Sequence, residues 1–396
     1  MSVCNEGYGD VKRFFEALKK HKFVRNTDLK VLVVGLSEAG KTSLIKTVIT
    51  QGQFLVRQGD RTVGIEQNTW TFEREDITEE DERTGFKNVN LLMYDFAGQQ
   101  EYYITHHIFL TERALYLLAF DLNKFSNASF HRQIDFWMTS IQDRVPGAKL
   151  LLVGTHADMI DEQEAEYRCD RIRSTIAVKV RRTTKQLDKK MAEFREKQKA
   201  LKGKREAYAL AKVQASAPEA TMETAKKCVD LHDGGDALSP EQEQIAVKFK
   251  EFKDSKEALP VDDRLNEAAL RDSSRRCDQQ LKNLGQVPKQ VFAVSSKSLL
   301  GIPTISNEIK RTVQDTRLFP ELGEKIPTTW LKVRALIRAK RQEPKTYLLR
   351  TPDYLAMFAA ELDMTEQEVD DATVFMHVSV LFLSAAALHL SLLRAK

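Results

Sequence analysis

Cysteine is scarce in this sequence, with four residues among 396. They stand at positions 4, 169, 228 and 277, without the paired spacing of a disulfide framework. Cys228 and His232 have no second pair of metal-binding residues within reach, so no structural zinc centre is expected there. The sequence also lacks the pattern of an N-terminal signal peptide, and a reducing, cytoplasmic setting is therefore expected.

A general excess of positive charge is also lacking. The formal net charge is +4, but residues 168–212 alone hold sixteen Lys or Arg against five Asp or Glu. The rest of the chain is therefore slightly acidic, and we expect no nucleic-acid partner. A hydrophobic content of 42% supports a proper core, and the length allows two domains or one domain with a large insertion.

Residues 35–42 carry the most informative motif, because they match the G-x-x-x-x-G-K-[ST] pattern of a phosphate-binding loop. An apolar run at 31–34 precedes the loop and a helical pattern follows it, as that motif requires. In this context, backbone N–H groups turn toward the α- and β-phosphates of a nucleoside triphosphate. The predicted nucleotide ligands are Gly35, Ser37, Glu38, Ala39, Gly40, Lys41, Thr42 and the backbone N–H of Ser43.

Two side chains of this loop have further predicted roles. The ammonium group of Lys41 is a mobile point charge that can bridge the β- and γ-phosphates, so it is expected to act in binding and in catalysis. The hydroxyl of Thr42 is a hard oxygen ligand, which suits Mg²⁺.

Asp95 and Gly98 form a D-x-x-G motif at the end of the apolar run 89–94. Asp95 is predicted to hold Mg²⁺ through a water molecule, and the backbone N–H of Gly98 to meet the γ-phosphate. Gln99 is the predicted catalytic side chain, because a carboxamide can orient the attacking water.

Thr62 lies in a candidate switch loop at 54–64. A threonine at this distance from the phosphate loop can complete the Mg²⁺ shell and sense the γ-phosphate, so Thr62 is predicted to bind the metal and to support catalysis. For the neighbouring Arg61, an exposed charge is favoured over an arginine finger.

Polar motifs follow two later apolar runs, namely Thr155-His156-Ala157-Asp158 and Ser295-Ser296-Lys297. The carboxylate of Asp158 can accept hydrogen bonds from N1–H and the 2-amino group of guanine, whereas adenine would present a lone pair to it. Sites of this kind reject the wrong analogue by about 10⁴-fold, which favours GTP and GDP over ATP. The predicted base site comprises Thr155, His156, Asp158, Ser295, Ser296 and Lys297.

Six apolar runs predict the strands of one sheet, at 30–34, 65–72, 89–95, 114–120, 148–154 and 290–294. Because helical segments alternate with them, the predicted fold class is α/β, a doubly wound and mostly parallel six-stranded sheet. About 130 residues separate the fifth and sixth runs, so a long helical insertion is expected there. Its first half repeats an apolar residue every seven positions, and a solvated helical arm is favoured over a partner-binding helix.

The stretch from Asp95 to Tyr103, followed by Thr105-His106 and by residues 113–117, resembles the Roc GTPase domain of Roco proteins. The Thr-His-x-Asp motif, which stands where other Ras-like GTPases have Asn-Lys-x-Asp, also resembles the Roc domain. Residues 326–333 resemble the opening of the COR domain that follows Roc. The resemblance implies a P-loop GTPase switch whose COR segment supports dimerisation and relays the nucleotide state to effector or regulator proteins.

The resulting domain prediction has four parts in five ranges, because the insertion divides the GTPase domain in two. They are a helical leader at 1–28, a Roc-like GTPase domain at 29–164 and 286–315, a charged helical insertion at 165–285, and a partial helical COR-like segment at 316–396. Within the last part, Val374–Leu393 is twenty residues without a charged side chain. A packing helix is favoured there, and a membrane anchor is the alternative.

The sequence leaves three functions to compare. The leading one is a slow GTPase that uses Mg²⁺. The second is a guanine-nucleotide-dependent scaffold with negligible hydrolysis. The third is an ATPase, which requires that Asp158 does not contact the base.

Overall fold

The computed structural model describes residues 23–57, 62, 65–75, 77–79, 81, 86–96, 110–215, 217–218, 220–235, 237–254, 261–285, 287–340 and 351–379. Several predictions from the sequence fall outside these described residues. They concern the leader helix before residue 23, Arg61, Gly98, Gln99 and the apolar C-terminal run from residue 380 onward. Within the described residues, no helix combines the length and the apolar character needed to cross a bilayer.

The chain divides into two compact units, one formed by Met1–Ile176 with Gln286–Lys396 and the other by Ala177–Gly285. The strands of the first unit are β1 Phe23–Arg25, β2 Asp28–Val34, β3 Ile65–Glu73, β4 Asn88–Phe96, β5 Ala114–Asp121, β6 Lys149–Thr155, β7 Val291–Ala293 and β8 Lys325–Pro327.

Six of these strands form the central sheet, in the order β3-β4-β2-β5-β6-β7. Strand β3 runs antiparallel to β4, and the other neighbours are parallel. All residues of β2 and β5 are buried, as expected for parallel strands that are covered on both faces. The predicted α/β fold with a mostly parallel sheet is confirmed, and each of the six predicted strands lies within two residues of its observed bounds.

Some helices of the first unit alternate with the strands of this sheet, and others follow it in the sequence. They are α1 Lys41–Thr50, α2 Phe136–Arg144, the first part of α3 Glu162–Gln214, α7 Ile302–Gln314, α8 Thr328–Lys340, α9 Thr351–Leu362 and α10 Glu366–Ser379. A π-helical turn at His131–Asp135 leads into α2, and a 3₁₀ turn at Ala157–Met159 precedes α3. Because β2, β4, β5 and β6 run parallel, their carboxyl ends meet at one edge, where α/β sheets bind ligands.

The last three helices pack around a small apolar cluster of their own, formed by Val333, Ile337, Phe358, Val369 and Ala372. The short strand β8 comes directly before these helices and pairs with β1 in an antiparallel two-stranded sheet. These helices therefore follow the sheet as a separate cluster within the first unit.

The second unit is entirely helical in its described residues. It contains the rest of α3, α4 Met222–Gly234, α5 Pro240–Asp254 and α6 Val261–Gly285. Leu187 and Met191 of α3 pack against Cys277 of α6, and a second cluster joins Val213 to Phe249. The predicted helical character of the insertion is confirmed, although α3 begins at Glu162, within the first unit.

Candidate nucleotide-binding site

The phosphate loop connects β2 to α1 and contains two glycines in backbone conformations that other residues rarely adopt. Gly35 has a φ of 140°, and a Cβ atom there would lie 2.0 Å from the carbonyl oxygen of Ala119. Gly40 has a φ of 73° immediately before the first turn of α1. The loop thus lies against β5 at Gly35 and leads directly into the N-terminus of α1, and the N-terminus of a helix favours a bound anion.

Lys41 is buried and folds back over this loop. Its Nζ atom donates hydrogen bonds to the carbonyl oxygens of Gly35 (3.2 Å) and Leu36 (2.8 Å). Burial lowers the pKa of Lys41 to about 8, and the carboxylate of Asp95 opposes that shift. The ammonium group is thus held within the loop, next to the N-terminus of α1.

Thr42, Thr62 and Asp95 meet through their side chains. Both hydroxyl groups donate to Oδ2 of Asp95, from Thr62 at 3.1 Å, and the two hydroxyl oxygens are 3.0 Å apart. The sequence predicted these three residues as metal ligands from separate motifs, and the structure brings their oxygen atoms together.

Asp95 is fully buried, and its second carboxylate oxygen, Oδ1, has no hydrogen-bond partner among the described residues. Burial raises the pKa of Asp95, while the hydrogen bond from Thr42 and the charge of Lys41 oppose the rise. A buried oxygen of this kind is costly unless another group satisfies it. Three hard oxygen donors with one unsatisfied carboxylate oxygen form a donor set that fits Mg²⁺.

Thr155 connects the phosphate loop to the predicted base site. Its buried Oγ1 lies 2.9 Å from the carbonyl oxygen of Ala39 and 3.0 Å from that of Phe120. Ala39 belongs to the phosphate loop and Phe120 to β5, so this one hydroxyl links three segments at the edge of the sheet.

His156 adopts a left-handed backbone conformation, with a φ of 59°. Its Nδ1 atom lies 3.0 Å from Oγ1 of Thr155 and 3.7 Å from Oδ1 of Asp121. A Cβ atom on Gly40 would stand 3.4 Å from the ring of His156. The imidazole ring therefore lies beside the phosphate loop, between it and the end of β5.

Asp158 is exposed and faces the loop after β7. Its Oδ1 atom accepts a 2.7 Å hydrogen bond from the buried hydroxyl of Ser295. The same hydroxyl accepts hydrogen bonds from the backbone N–H groups of Lys297 (3.1 Å) and Ser298 (3.0 Å). The side chain of Ser295 is thus occupied by protein groups, and it fixes the carboxylate of Asp158 relative to the turn at 296–298.

The remaining predicted ligands fall into three groups. Ser37 and Glu38 are exposed on the phosphate loop, and the hydroxyl of Ser43 accepts a hydrogen bond from the backbone N–H of Val56. Ser296 and Lys297 lie in the turn beside Asp158. Gly98 and Gln99 are outside the described residues, so their predicted roles stay predictions.

Sequence reasoning overlooked Asp121 and Arg168 at this edge. Asp121 is buried at the end of β5, and the guanidinium of Arg168 donates to backbone carbonyls just after that strand. The rule that singled out Asp95 and Thr155 could have found Asp121, because it also ends an apolar run. No sequence signal distinguished Arg168 from the many basic residues around it.

Comparison with known families gives a match over the phosphate loop and most of the sheet. Residues 30–158 match the model of the family described as "Ras of Complex, Roc, domain of DAPkinase". The match begins in β2 and ends at Asp158, so it includes the phosphate loop, Thr62, Asp95 and the Thr-His-x-Asp motif.

Curated relatives are similar to this chain over less than half of its length. The Malignant fibrous histiocytoma-amplified sequence 1 homolog of Xenopus tropicalis is 29% identical over 185 residues, which is 47% of this chain and 17% of that protein. The probable serine/threonine-protein kinase pats1 of Dictyostelium discoideum is 31% identical over 38% of this chain and 5% of its own. Another protein of that organism, the probable serine/threonine-protein kinase roco8, is 39% identical over 22% of this chain and 4% of its own. The chain thus spans less than a fifth of the length of each of these relatives.

Among solved structures, that of Methanosarcina barkeri Roco2 RocCORdC bound to GDP is similar over 90% of this chain and 68% of that one, with 16% identity and a TM-score of 0.44. The family match at 30–158 and the Roco relatives agree with the resemblance that the motifs carry. The first unit of this chain therefore contains, at residues 30–158, a segment that matches the Roc domain family.

Proposed function

We propose that this chain binds GTP and GDP with Mg²⁺ and hydrolyses GTP slowly, as a guanine-nucleotide switch. The observation that carries the proposal is the meeting of the Thr42 and Thr62 hydroxyl groups at Oδ2 of Asp95, whose other oxygen, Oδ1, is buried without a hydrogen-bond partner among the described residues. The charge of Lys41 acts on the same carboxylate. A buried carboxylate and a buried ammonium group at the end of a phosphate loop suit a charged ligand that supplies both an anion and a cation.

The phosphate end of the nucleotide would bind in the loop at 35–42. The backbone N–H groups at the start of α1 and the ammonium group of Lys41 would neutralise the β- and γ-phosphates. To do so, Nζ of Lys41 would exchange its carbonyl partners, Gly35 and Leu36, for phosphate oxygens. Such an exchange favours the nucleotide because phosphate is a stronger acceptor than a carbonyl.

Thr42, Thr62 and Asp95 would hold the metal ion. Mg²⁺ supplies charge neutralisation for the phosphates in this class of reaction. Thr62 lies twenty positions after Thr42 in the sequence. The contact between their hydroxyl groups would therefore depend on the conformation of the candidate switch loop at 54–64. The loss of the γ-phosphate would weaken that contact and release the loop, which is the basis of the proposed switch.

Asp158 would read the base. Its position beside the turn at 296–298 allows the carboxylate to accept two hydrogen bonds from guanine while a backbone N–H of the turn donates to O6. Thr155 and His156 would shape the same pocket, since both contact the phosphate loop or the end of β5.

Gln99 would orient the attacking water. Because no arginine finger is assigned in this chain, we expect basal turnover on the order of 10⁻⁴ s⁻¹, as for the intrinsic reaction of Ras. A single-turnover assay with radiolabelled GTP on the wild type and on Gln99→Ala tests this role. Phosphate release that is slow in the wild type and at least tenfold slower in the variant supports it; equal, negligible release in both would leave only the nucleotide-dependent scaffold.

The helices α8–α10 and the segment that follows them would serve as a COR-like region for dimerisation and for relaying the nucleotide state to effector or regulator proteins. The cluster around Val333 and Phe358 gives these helices a core of their own, which supports a distinct role. Mass measurement in GDP and in a non-hydrolysable GTP analogue tests dimerisation. The buried free thiols of Cys169, Cys228 and Cys277 suit a reducing compartment, and we propose the cytoplasm.

A further inference from the structure

The segment from the last residue of β5 to Lys124, here called the β5 loop and formed by residues 121–124, lies next to the predicted base motif. The backbone N–H of Leu122 donates to the carbonyl oxygen of Thr155 (3.0 Å), and Oδ1 of Asp121 faces Nδ1 of His156 at 3.7 Å. The side chain of Leu122 fills the space over Gly154, where an added Cβ atom would lie 3.2 Å away. The position of this loop therefore sets the surroundings of His156.

Arg168 fixes the β5 loop from the second turn of α3. Its Nη1 atom donates to the carbonyl oxygens of both Leu122 (2.8 Å) and Asn123. Its Nε atom donates to Oε1 of Glu164 at 2.6 Å, which holds the guanidinium plane in place. The side chain of Arg168 is only 20% exposed, so these charged hydrogen bonds lie in a partly water-excluded site.

The start of α3 is itself fixed relative to the base motif. The 3₁₀ turn that contains Asp158 ends at Met159, and Oδ1 of Asp161 accepts the backbone N–H of Glu164 at 2.7 Å as a helix N-cap. Cys169 and Ile172 are buried on the same stretch of α3. Arg168 thus reaches back from a rigid helix turn to the loop on the other side of His156.

We propose that Arg168 is a positioning residue for the purine end of the nucleotide. It does not touch the ligand; it clamps the two carbonyl groups of the β5 loop, and that loop in turn places Asp121 against His156. This inference rests on the proposed nucleotide site. It adds that the base half of that site depends on a contact that lies outside the phosphate loop and the metal site.

Loss of this clamp has a specific expected consequence. Without Arg168, two carbonyl groups lose a charged donor, and the β5 loop gains freedom at the place where it contacts His156. Hydrogen bonds to charged groups are the stronger ones, and losing a comparable interaction near a ligand corresponds to about a tenfold change in affinity. We therefore expect a variant without the Arg168 guanidinium to release nucleotide faster than the wild type, while its phosphate loop and metal site stay intact.

The test measures the release of ribose-labelled fluorescent GDP from the full chain, with and without chelation of Mg²⁺. Arg168→Ala is expected to release GDP about tenfold faster than the wild type, and Arg168→Lys to recover most of the difference because an ammonium group can also donate to the carbonyls. Chelation should accelerate release by the same factor in the wild type and in Arg168→Ala, because the clamp acts only at the base end. A general loss of structure would instead weaken the metal effect too.

Arg173→Ala is the matched control, because Arg173 lies on the same helix and its guanidinium forms an ion pair with the neighbouring Asp170. It should release GDP at the wild-type rate. If Arg168→Ala does not fold, Glu164→Gln replaces it, with release two- to threefold faster because the guanidinium loses its second anchor. Release at the wild-type rate from the folded variant, an equal effect of Arg173→Ala, or a changed metal factor would overturn the proposal. A wild type that takes up no GDP would instead refute the nucleotide site itself.

Discussion

The carboxylate of Asp28 forms a buried ion pair with the guanidinium of Arg334, which joins the first residue of β2 to helix α8. Asp28 is only 2% exposed, and its Oδ1 atom also accepts hydrogen bonds from the side chains of Thr27 (3.1 Å) and Asn90 (2.9 Å). The same strand leads directly into the phosphate loop at Gly35. The helical segment after the sheet is thus attached at the opposite end of the strand that carries the loop.

Arg334→Ala should therefore destabilise the first unit by about 3 kcal/mol, because it removes the guanidinium that pairs with the buried carboxylate of Asp28. Urea unfolding of the nucleotide-free chain measures this. Arg317→Ala, at an exposed pair with Asp315, is the control and should change nothing measurable. The double variant Asp28→Asn with Arg334→Met should recover part of the loss, and no recovery would contradict a charge-based explanation.

The lowered pKa of Lys30 predicts that the free energy of unfolding depends on pH. It is fully buried in β2, and burial lowers its pKa from 10.5 to about 7. Between these two values the unfolded chain binds one more proton than the folded chain, so this residue makes stability rise with pH from about 7 to 10.5 by up to about 1.4 kcal/mol per pH unit.

Lys30→Met should remove that contribution, which is visible as a smaller gain in unfolding free energy between pH 7.5 and 9. Lys332→Met replaces an exposed lysine and should leave the slope unchanged. Identical slopes in the wild type and in Lys30→Met would show that Lys30 keeps its proton in the folded chain.

The close approach of Gly35 to β5 predicts a severe effect of a single methyl group. In Gly35→Ala the Cβ atom would stand 2.0 Å from the carbonyl oxygen of Ala119, so the loop must move or the strand must separate. Loss of nucleotide binding and a lower melting temperature are expected. Gly203→Ala is the control, because nothing lies within 4 Å of a Cβ there and α3 should gain about 0.5–1 kcal/mol.

Asp95 predicts the metal dependence of nucleotide binding. In the wild type, Mg²⁺ should slow the release of GDP, because Thr42 and Asp95 would hold the ion, and its charge would help to neutralise the phosphates. Asp95→Asn removes the charge, and the rate of release should become nearly independent of Mg²⁺. Asp315→Asn, at a partly exposed carboxylate far along the sequence, should keep the full metal effect. An undiminished effect in Asp95→Asn would place the ion elsewhere.

The sheet could be predicted from the sequence because its strands are short, continuous apolar runs that need no information from distant residues. The phosphate loop and the residues at strand ends were found for the same reason, since a fixed local motif places them. Asp121 and Arg168 show where this reasoning stops. Arg168 acts through the carbonyl groups of Leu122 and Asn123, more than forty positions away, and nothing in a charged helix marks which arginine makes such a contact.

Ser295 shows a second limit of the sequence. The motif Ser295-Ser296-Lys297 predicted side chains and backbone groups around the base, but the structure shows the hydroxyl of Ser295 bound to Asp158 and to the backbone of its own turn. A motif gives the residue types at a site. The hydrogen-bond partners of each side chain depend on packing that only the folded chain defines.

The base preference of the purified chain and of Asp158→Asn tests the account most directly. Xanthine has a carbonyl oxygen where guanine has its 2-amino group, so an asparagine amide can donate where the aspartate accepted. Competition against labelled GDP should show that the wild type prefers GDP to XDP and to ADP. Asp158→Asn should lose GDP affinity by about 100-fold or more and gain affinity for XDP. An unchanged preference for GDP in Asp158→Asn, or a wild type that binds ADP as well as GDP, would contradict the assignment of Asp158 and of a guanine nucleotide to this site.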